Sequence, residues 1–110
     1  MKENEITMDI TDGSVTAREV TLDMPVIRGK NTIEKVTIRK PTAGELRGIK
    51  LQSLMESDTN SIMALLPRIT SPALTPAEVS NLDSSDLWML GNEIVYFLLP
   101  KSVRADLGKI

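Results

Sequence analysis

Two short runs with the period of a β-strand lie on either side of a turn, and they limit the fold more than any other feature of the chain. In residues 19–26 the apolar Val20, Leu22, Met24 and Val26 alternate with Thr21, Asp23 and Pro25. That period places the first set on one face of a strand and the second on the other. Pro25 has no N–H to give to a ladder, so this is an edge strand or the end of one. Arg28-Gly29-Lys30-Asn31 reads as a turn, and Thr32 to Arg39, with Ile33, Val36 and Ile38, reads as the second strand of a β-hairpin. A lone hairpin is marginal in water. Its apolar face therefore needs helices, or another subunit, to cover it.

The rest of the chain supplies helices. Thr42-Ala43-Gly44-Glu45 has the spacing of a capping box, and the helix expected there carries Leu46, Ile49, Leu54 and Met55. Gly44 and Gly48 weaken it by roughly 1 kcal/mol each relative to alanine. Asp58 is placed to cap a second helix, in which Ile62, Leu65, Leu66 and Ile69 follow the i, i+3, i+4, i+7 rule. Pro67 should kink or end it. Thr75-Pro76-Ala77-Glu78 is a second capping box, opening a short helix. A last helix is expected from about Ser85 to Leu99, with Pro100 as its stop. The expected fold is α+β: a small single domain, with an N-terminal β-hairpin followed by three to four helices. Residues 1–17 read as a mobile arm, 18–100 as the domain, and 101–110 as a tail without a strong pattern.

Composition removes most chemistry. The chain has no Cys and no His, which excludes disulfides, thiolate catalysis, the commonest general base and the commonest metal ligand. It contains no Gly-rich phosphate loop. Asp83 and Asp86 lie three apart near a helix start, where acids favour the positive end of the helix dipole. They are read as that, without a third ligand at a recognisable spacing. No catalytic residue, cofactor or metal is expected. No apolar run reaches the roughly 18 residues of a membrane span, and the polar N-terminus does not resemble a signal peptide, so a cytosolic protein is expected.

Charge is segregated: residues 26–50 carry a balance of +5 and residues 51–99 a balance of −5. The basic hairpin, with Arg28, Lys30, Lys35, Arg39 and Lys40, fits a solvated surface, an acidic partner, or a nucleic-acid backbone. For the last of these it lacks an aromatic for base stacking.

The last helix has two apolar stripes. Leu87, Leu90, Ile94, Phe97 and Leu98 form one; Trp88, Val95 and Leu99 form another on a different side. A surface helix needs only one. Either this is a central, fully buried helix, or its second face meets a partner. Trp and Phe are common interface anchors, so Trp88, Val95 and Leu99 are the candidate partner-binding residues.

Leu22 and Pro25, the run Val36-Thr37-Ile38-Arg39-Lys40-Pro41-Thr42-Ala43-Gly44-Glu45-Leu46-Arg47, the segment Leu65 to Thr70, and Leu82-Asp83 with Asp86-Leu87 and Leu90 together resemble the tail assembly chaperones of contractile-tailed phages of the Mu and P2 kind. The junction 39–46 carries most of the resemblance, which covers residues 20–99. It implies a small, non-catalytic protein of the host cytoplasm that binds the long tape measure protein until tail tube protein polymerises around it, and that is absent from the mature virion. It also implies, in many such phages, a frameshifted longer form of the same chain; Leu107-Gly108-Lys109 permits codons of the X XXY YYZ slippery form. The resemblance supplies no catalytic or contact residues. Tail tube protein and a homo-oligomer are further partners to be considered. The alternative is a small phage-encoded nucleic-acid-binding or regulatory protein that uses the basic hairpin.

Overall fold

Gly29, the first of two loop residues, takes φ +61°, as a type II′ turn requires. In the computed structural model, which describes residues 15–108 and the side chains of 15–104, this turn joins β1 (Ala17–Arg28) to β2 (Asn31–Arg39). The strands are antiparallel, with Arg28 opposite Asn31. A two-residue strand, β3 (Thr70–Ser71), pairs with the other side of β2 at Thr37 and Ile38. The sheet order β1-β2-β3 leaves β1 at an edge, as Pro25 required. Of the arm expected over 1–17, residues 1–14 lie outside the described residues; Val15 is buried and Ala17 opens β1.

The expected alternation along β1 holds only in part. Thr21 faces Lys35, but Val26 faces Ile33, so residues 22–25 bulge out opposite the single Glu34. Val20 and Leu22 are buried, while Met24, expected on the same face, is 58% exposed. A bulge resets the alternation and bends the strand. The amide N–H groups of Asp23 and Met24, freed from the ladder, donate to the two carboxylate oxygens of Asp86 at 2.7 and 3.0 Å.

The first expected helix is interrupted. A 3₁₀ turn (Ala43–Leu46) follows Thr42, whose N–H donates to Glu45 Oε1 at 2.9 Å. Gly48 then takes φ +82°, a left-handed conformation that ends any helix and that side chains disfavour. What remains is α1 (Leu51–Met55), five residues long, with Leu54 buried and Met55 exposed. Leu46 and Ile49 sit half-buried at the margin of the core.

At its end, Ser57 N–H donates to the Leu54 carbonyl and Asp58 N–H to the Ser53 carbonyl, both at 2.9 Å. This is a Schellman closure, with Ser57 at φ +60° where glycine is usual. Asp58 at once caps α2 (Thr59–Ile69), accepting the Ser61 N–H at 2.9 Å. All four residues of the expected stripe, Ile62, Leu65, Leu66 and Ile69, are buried. Pro67 falls in the last turn of α2. Thr70 Oγ1 donates to the Leu66 carbonyl at 2.8 Å and accepts the Leu74 N–H at 3.1 Å, carrying the chain into β3 and beyond.

Helix α3 (Pro76–Ser80) starts at its capping box, with Thr75 Oγ1 accepting the Glu78 N–H at 3.1 Å and Glu78 Oε1 accepting the Thr75 N–H at 3.0 Å. Helix α4 (Ser84–Leu98) is capped by Asp83 and packs on β1 and β2 with α1 beside it. Its Leu90, Ile94 and Phe97 join Val20, Leu22, Val36 and Ile38 of the sheet and the α2 stripe in one core.

The stretch without a sequence pattern forms a fifth helix, α5 (Lys101–Gly108). It is held by a polar residue: Arg104, 1% exposed, donates to the Val15 carbonyl at 2.8 Å and lies 5.5 Å from the centre of the Tyr96 ring. The architecture is the expected α+β one, with a short third strand added. No described helix is long and apolar enough to cross a membrane.

Candidate protein-binding surface

Helix α4 separates its two stripes. Leu90, Ile94 and Phe97 are buried, and Leu87 and Leu98 half-buried against the core. On the other side Trp88 is 69% exposed, while Val95 and Leu99 are half-buried. Trp88 and Val95 lie at i and i+7, along one line of the helix, and Leu99, at i+11, is the C-cap just past its end. A fully buried central helix is thereby excluded: α4 is central on one face and open at Trp88 on the other.

Trp88 forms one wall of a groove of about 250 Å³. Leu87 and Gly91 of α4 and Ile62 of α2 give its apolar floor, and Ser57 at the α1–α2 corner, Thr59, Ser84 and Asn92 complete its lining with uncharged polar groups. Gly91 lets the two helices meet. A Cβ added there would stand 2.8 Å from Ile62 Cδ1, so Ile62 fills the space a side chain would have taken. The volume falls below the roughly 300–1,000 Å³ of small-molecule pockets. It suits one or two apolar side chains of a partner. Gly91 and the Ser57 corner escaped the sequence reading. The signal available was a glycine inside an apolar helix, which costs about 1 kcal/mol and calls for a packing reason.

The acidic pair at the start of α4 is structural. Asp86 is fully buried, with both oxygens engaged by the β1 bulge. Asp83 Oδ2 accepts the Ser85 N–H at 3.1 Å. Among the described residues no three acids, histidines or cysteines gather as a metal site would require.

The basic hairpin is partly neutralised from within. Arg28 grips Glu78 with Nε and Nη2, at 2.9 and 2.6 Å, and also donates to the Ala73 carbonyl. Arg39 grips Glu45 in the same two-pronged way and donates to the Arg68 carbonyl at 3.0 Å. These planar guanidinium groups are the ones best shaped for bidentate phosphate contacts, and a phosphate would have to displace a carboxylate from each.

The same pairs set an acid limit. The Arg39 hydrogen bonds, helped by the Thr42 N–H, hold the Glu45 carboxyl down at about 2; Arg28 and the Thr75 N–H do the same for Glu78, also at about 2. Both lie below the ordinary value of 4.5, so the unfolded chain takes up these protons first. The stability they contribute is complete above pH 4.5 and is lost as the pH falls through about 2. Glu93 works in the opposite sense: burial pushes its carboxyl up, against the pull of Arg18 at 3.7 Å. Thermal unfolding followed from pH 5 to pH 2 should show a falling midpoint, and a variant with Glu45→Gln and Glu78→Gln should fall less over the same interval. Identical slopes in the two proteins would contradict the assignment.

Residues 19–99 match a family model described as phage tail assembly chaperone proteins, E, or 41 or 14. The chain is 46% identical over 85 residues to tail assembly protein E of Escherichia phage P2, an alignment that covers 77% of this chain and 93% of that protein. It is 43% identical over 91 residues to tail assembly protein E′ of the same phage, covering 83% of this chain and 61% of the longer relative. No solved structure gives a significant match.

Proposed function

The chain belongs to the phage tail assembly chaperone family, and from that premise we propose that it binds the tape measure protein and keeps it soluble until the tail tube assembles. The observation that carries this reading is the open face of α4, where Trp88 is 69% exposed beside an apolar groove. A long helical protein awaiting assembly presents apolar stripes to water, and a chaperone must offer apolar surface to cover them. Trp88 anchors that contact, with Val95 and Leu99 extending it along α4. The work is done in the host cytoplasm, and the chaperone leaves before the virion is complete. The likeness to both E and E′ supports a longer frameshifted form of this chain as a second participant, for which the codons of Leu107-Gly108-Lys109 are the first place to look.

Co-expression with the tape measure protein is the test, scored by the soluble fraction of that protein and by recovery of a complex. Trp88→Ala should weaken the complex by about 30-fold, the loss of a large aromatic anchor. Its own unfolding should shift by no more than about 0.5 kcal/mol, because the ring packs little against the chain. A tape measure protein equally insoluble with and without the chaperone would refute the proposal. Salt-sensitive retention on DNA, with no such complex, would favour the nucleic-acid alternative.

A further inference from the structure

The lining of the Trp88 groove carries no charged residue, and three acids adjoin it in the sequence. Ser57 at its mouth stands between Glu56 and Asp58, and Ser84 follows Asp83. Asp58 is fixed by the Ser61 N–H and hydroxyl, both at 2.9 Å, and Asp83 by Ser85, so neither swings freely away. Glu56 accepts from Gln52 at 2.8 Å. Among the described residues none of the three carboxylates is in an ion pair. Arg68 is the only basic residue between positions 51 and 99, and its Nη1 donates to the carbonyls of Glu45 and Arg47. The floor itself, from Ile62, Leu87 and Gly91, is uncharged.

We infer that the groove takes an amphipathic helix whose apolar ridge enters beside Trp88 and whose flanking lysines or arginines meet Glu56, Asp58 and Asp83. Charge complementarity selects this occupant. A second copy of the same face would set acidic rim against acidic rim, and a purely apolar segment would leave the carboxylates unanswered. The exposed indole also favours a basic flank, because a guanidinium or ammonium is attracted to its face. The inference rests on the proposed protein-binding role of this groove and adds the chemical character of the segment bound there.

Trp88 is the single tryptophan of the chain, so its emission reports the groove directly. The full-length protein is titrated with two synthetic helical peptides free of tryptophan. They share one leucine stripe; lysine and arginine flank it in the first, glutamate in the second. The basic peptide should shift Trp88 emission to the blue, saturably, and bind at least about tenfold more tightly than the acidic one, with the advantage shrinking as salt screens it. Glu56→Gln, which keeps the backbone of the α1 C-cap and leaves the Asp58 and Asp83 N-caps in place, should weaken the basic peptide about threefold, as for one exposed ion pair. Equal binding of the two peptides, tighter binding of the acidic one, or no response to either would overturn the inference. So would a blue shift caused by self-association of the protein alone, seen in sedimentation. Solubilised tape measure protein alongside equal peptide binding would sink the charge rule and leave the chaperone reading standing. Basic-peptide binding without solubilisation would do the reverse.

Discussion

Asp86→Ala should lower the stability of the fold by about 3 kcal/mol, the cost of losing two hydrogen bonds to a charged acceptor and stranding their donors. In a domain of this size that is a fall of about 15 °C in the thermal midpoint. The carboxylate is fully buried and accepts the N–H groups of Asp23 and Met24, the two amides that the β1 bulge withdraws from the ladder. The strand has no easy retreat into regular pairing, because Pro25 brings no donor. Asp86→Asn should also destabilise, by about 2 kcal/mol, since its amide nitrogen would face a second N–H. A loss below 1 kcal/mol for the alanine variant in urea unfolding would show that water serves these amides as well as Asp86 does.

Phe97→Ala should cost about 4 kcal/mol, the transfer of a large side chain plus the cavity it leaves. Phe97 is 1% exposed and stands edge-on to Tyr96 with ring centres 6.2 Å apart. The chain has one Phe, one Tyr and one Trp, so apart from Tyr96 the core around Phe97 is aliphatic and no second Phe can close the gap. Small domains have total stabilities of about 5–15 kcal/mol, and this loss would leave a detectable unfolded fraction at 37 °C. Phe97→Leu, which keeps most of the volume, should lose only about 1.5 kcal/mol. Set beside Trp88→Ala, which should damage binding and spare stability, Phe97→Ala should unfold the protein in direct proportion to any binding it loses. Equal urea midpoints for Phe97→Ala and the parent would rule out its place in the core.

Legibility from sequence followed the distance over which each decision is made. The hairpin turn and the α2 stripe are local: Gly29 and the spacing of Ile62, Leu65, Leu66 and Ile69 suffice, and both were found where expected. The capping boxes at Thr42 and Thr75 are equally local, and both marked real helical starts. The β1 bulge is not local. Its alternation looks intact from Val20 to Val26, and the residue that stabilises the departure is 62 to 63 positions away. The split of the first helix needed the sign of φ at Gly48, which composition hints at but does not decide. Helix α5 has no strong apolar pattern, and among its described side chains the one that seats it is Arg104, with its buried guanidinium. For the candidate site, the second stripe of α4 left a buried central helix and an open face as alternatives, and the 69% exposure of Trp88 decides between them. The groove beside it was not legible, since it depends on Gly91 meeting Ile62 across two helices and on a serine closing the α1–α2 corner.

The bulge has a consequence at the scale of a crowded cell. β1 is an edge strand, and an open edge is a template on which other chains can add strands. Between Leu22 and Pro25 the edge bends away, two of its amides are already claimed by Asp86, and Pro25 contributes none. An incoming strand therefore meets a short, interrupted ladder. A chain with so long an edge strand thus carries a built-in refusal to seed fibres of its own.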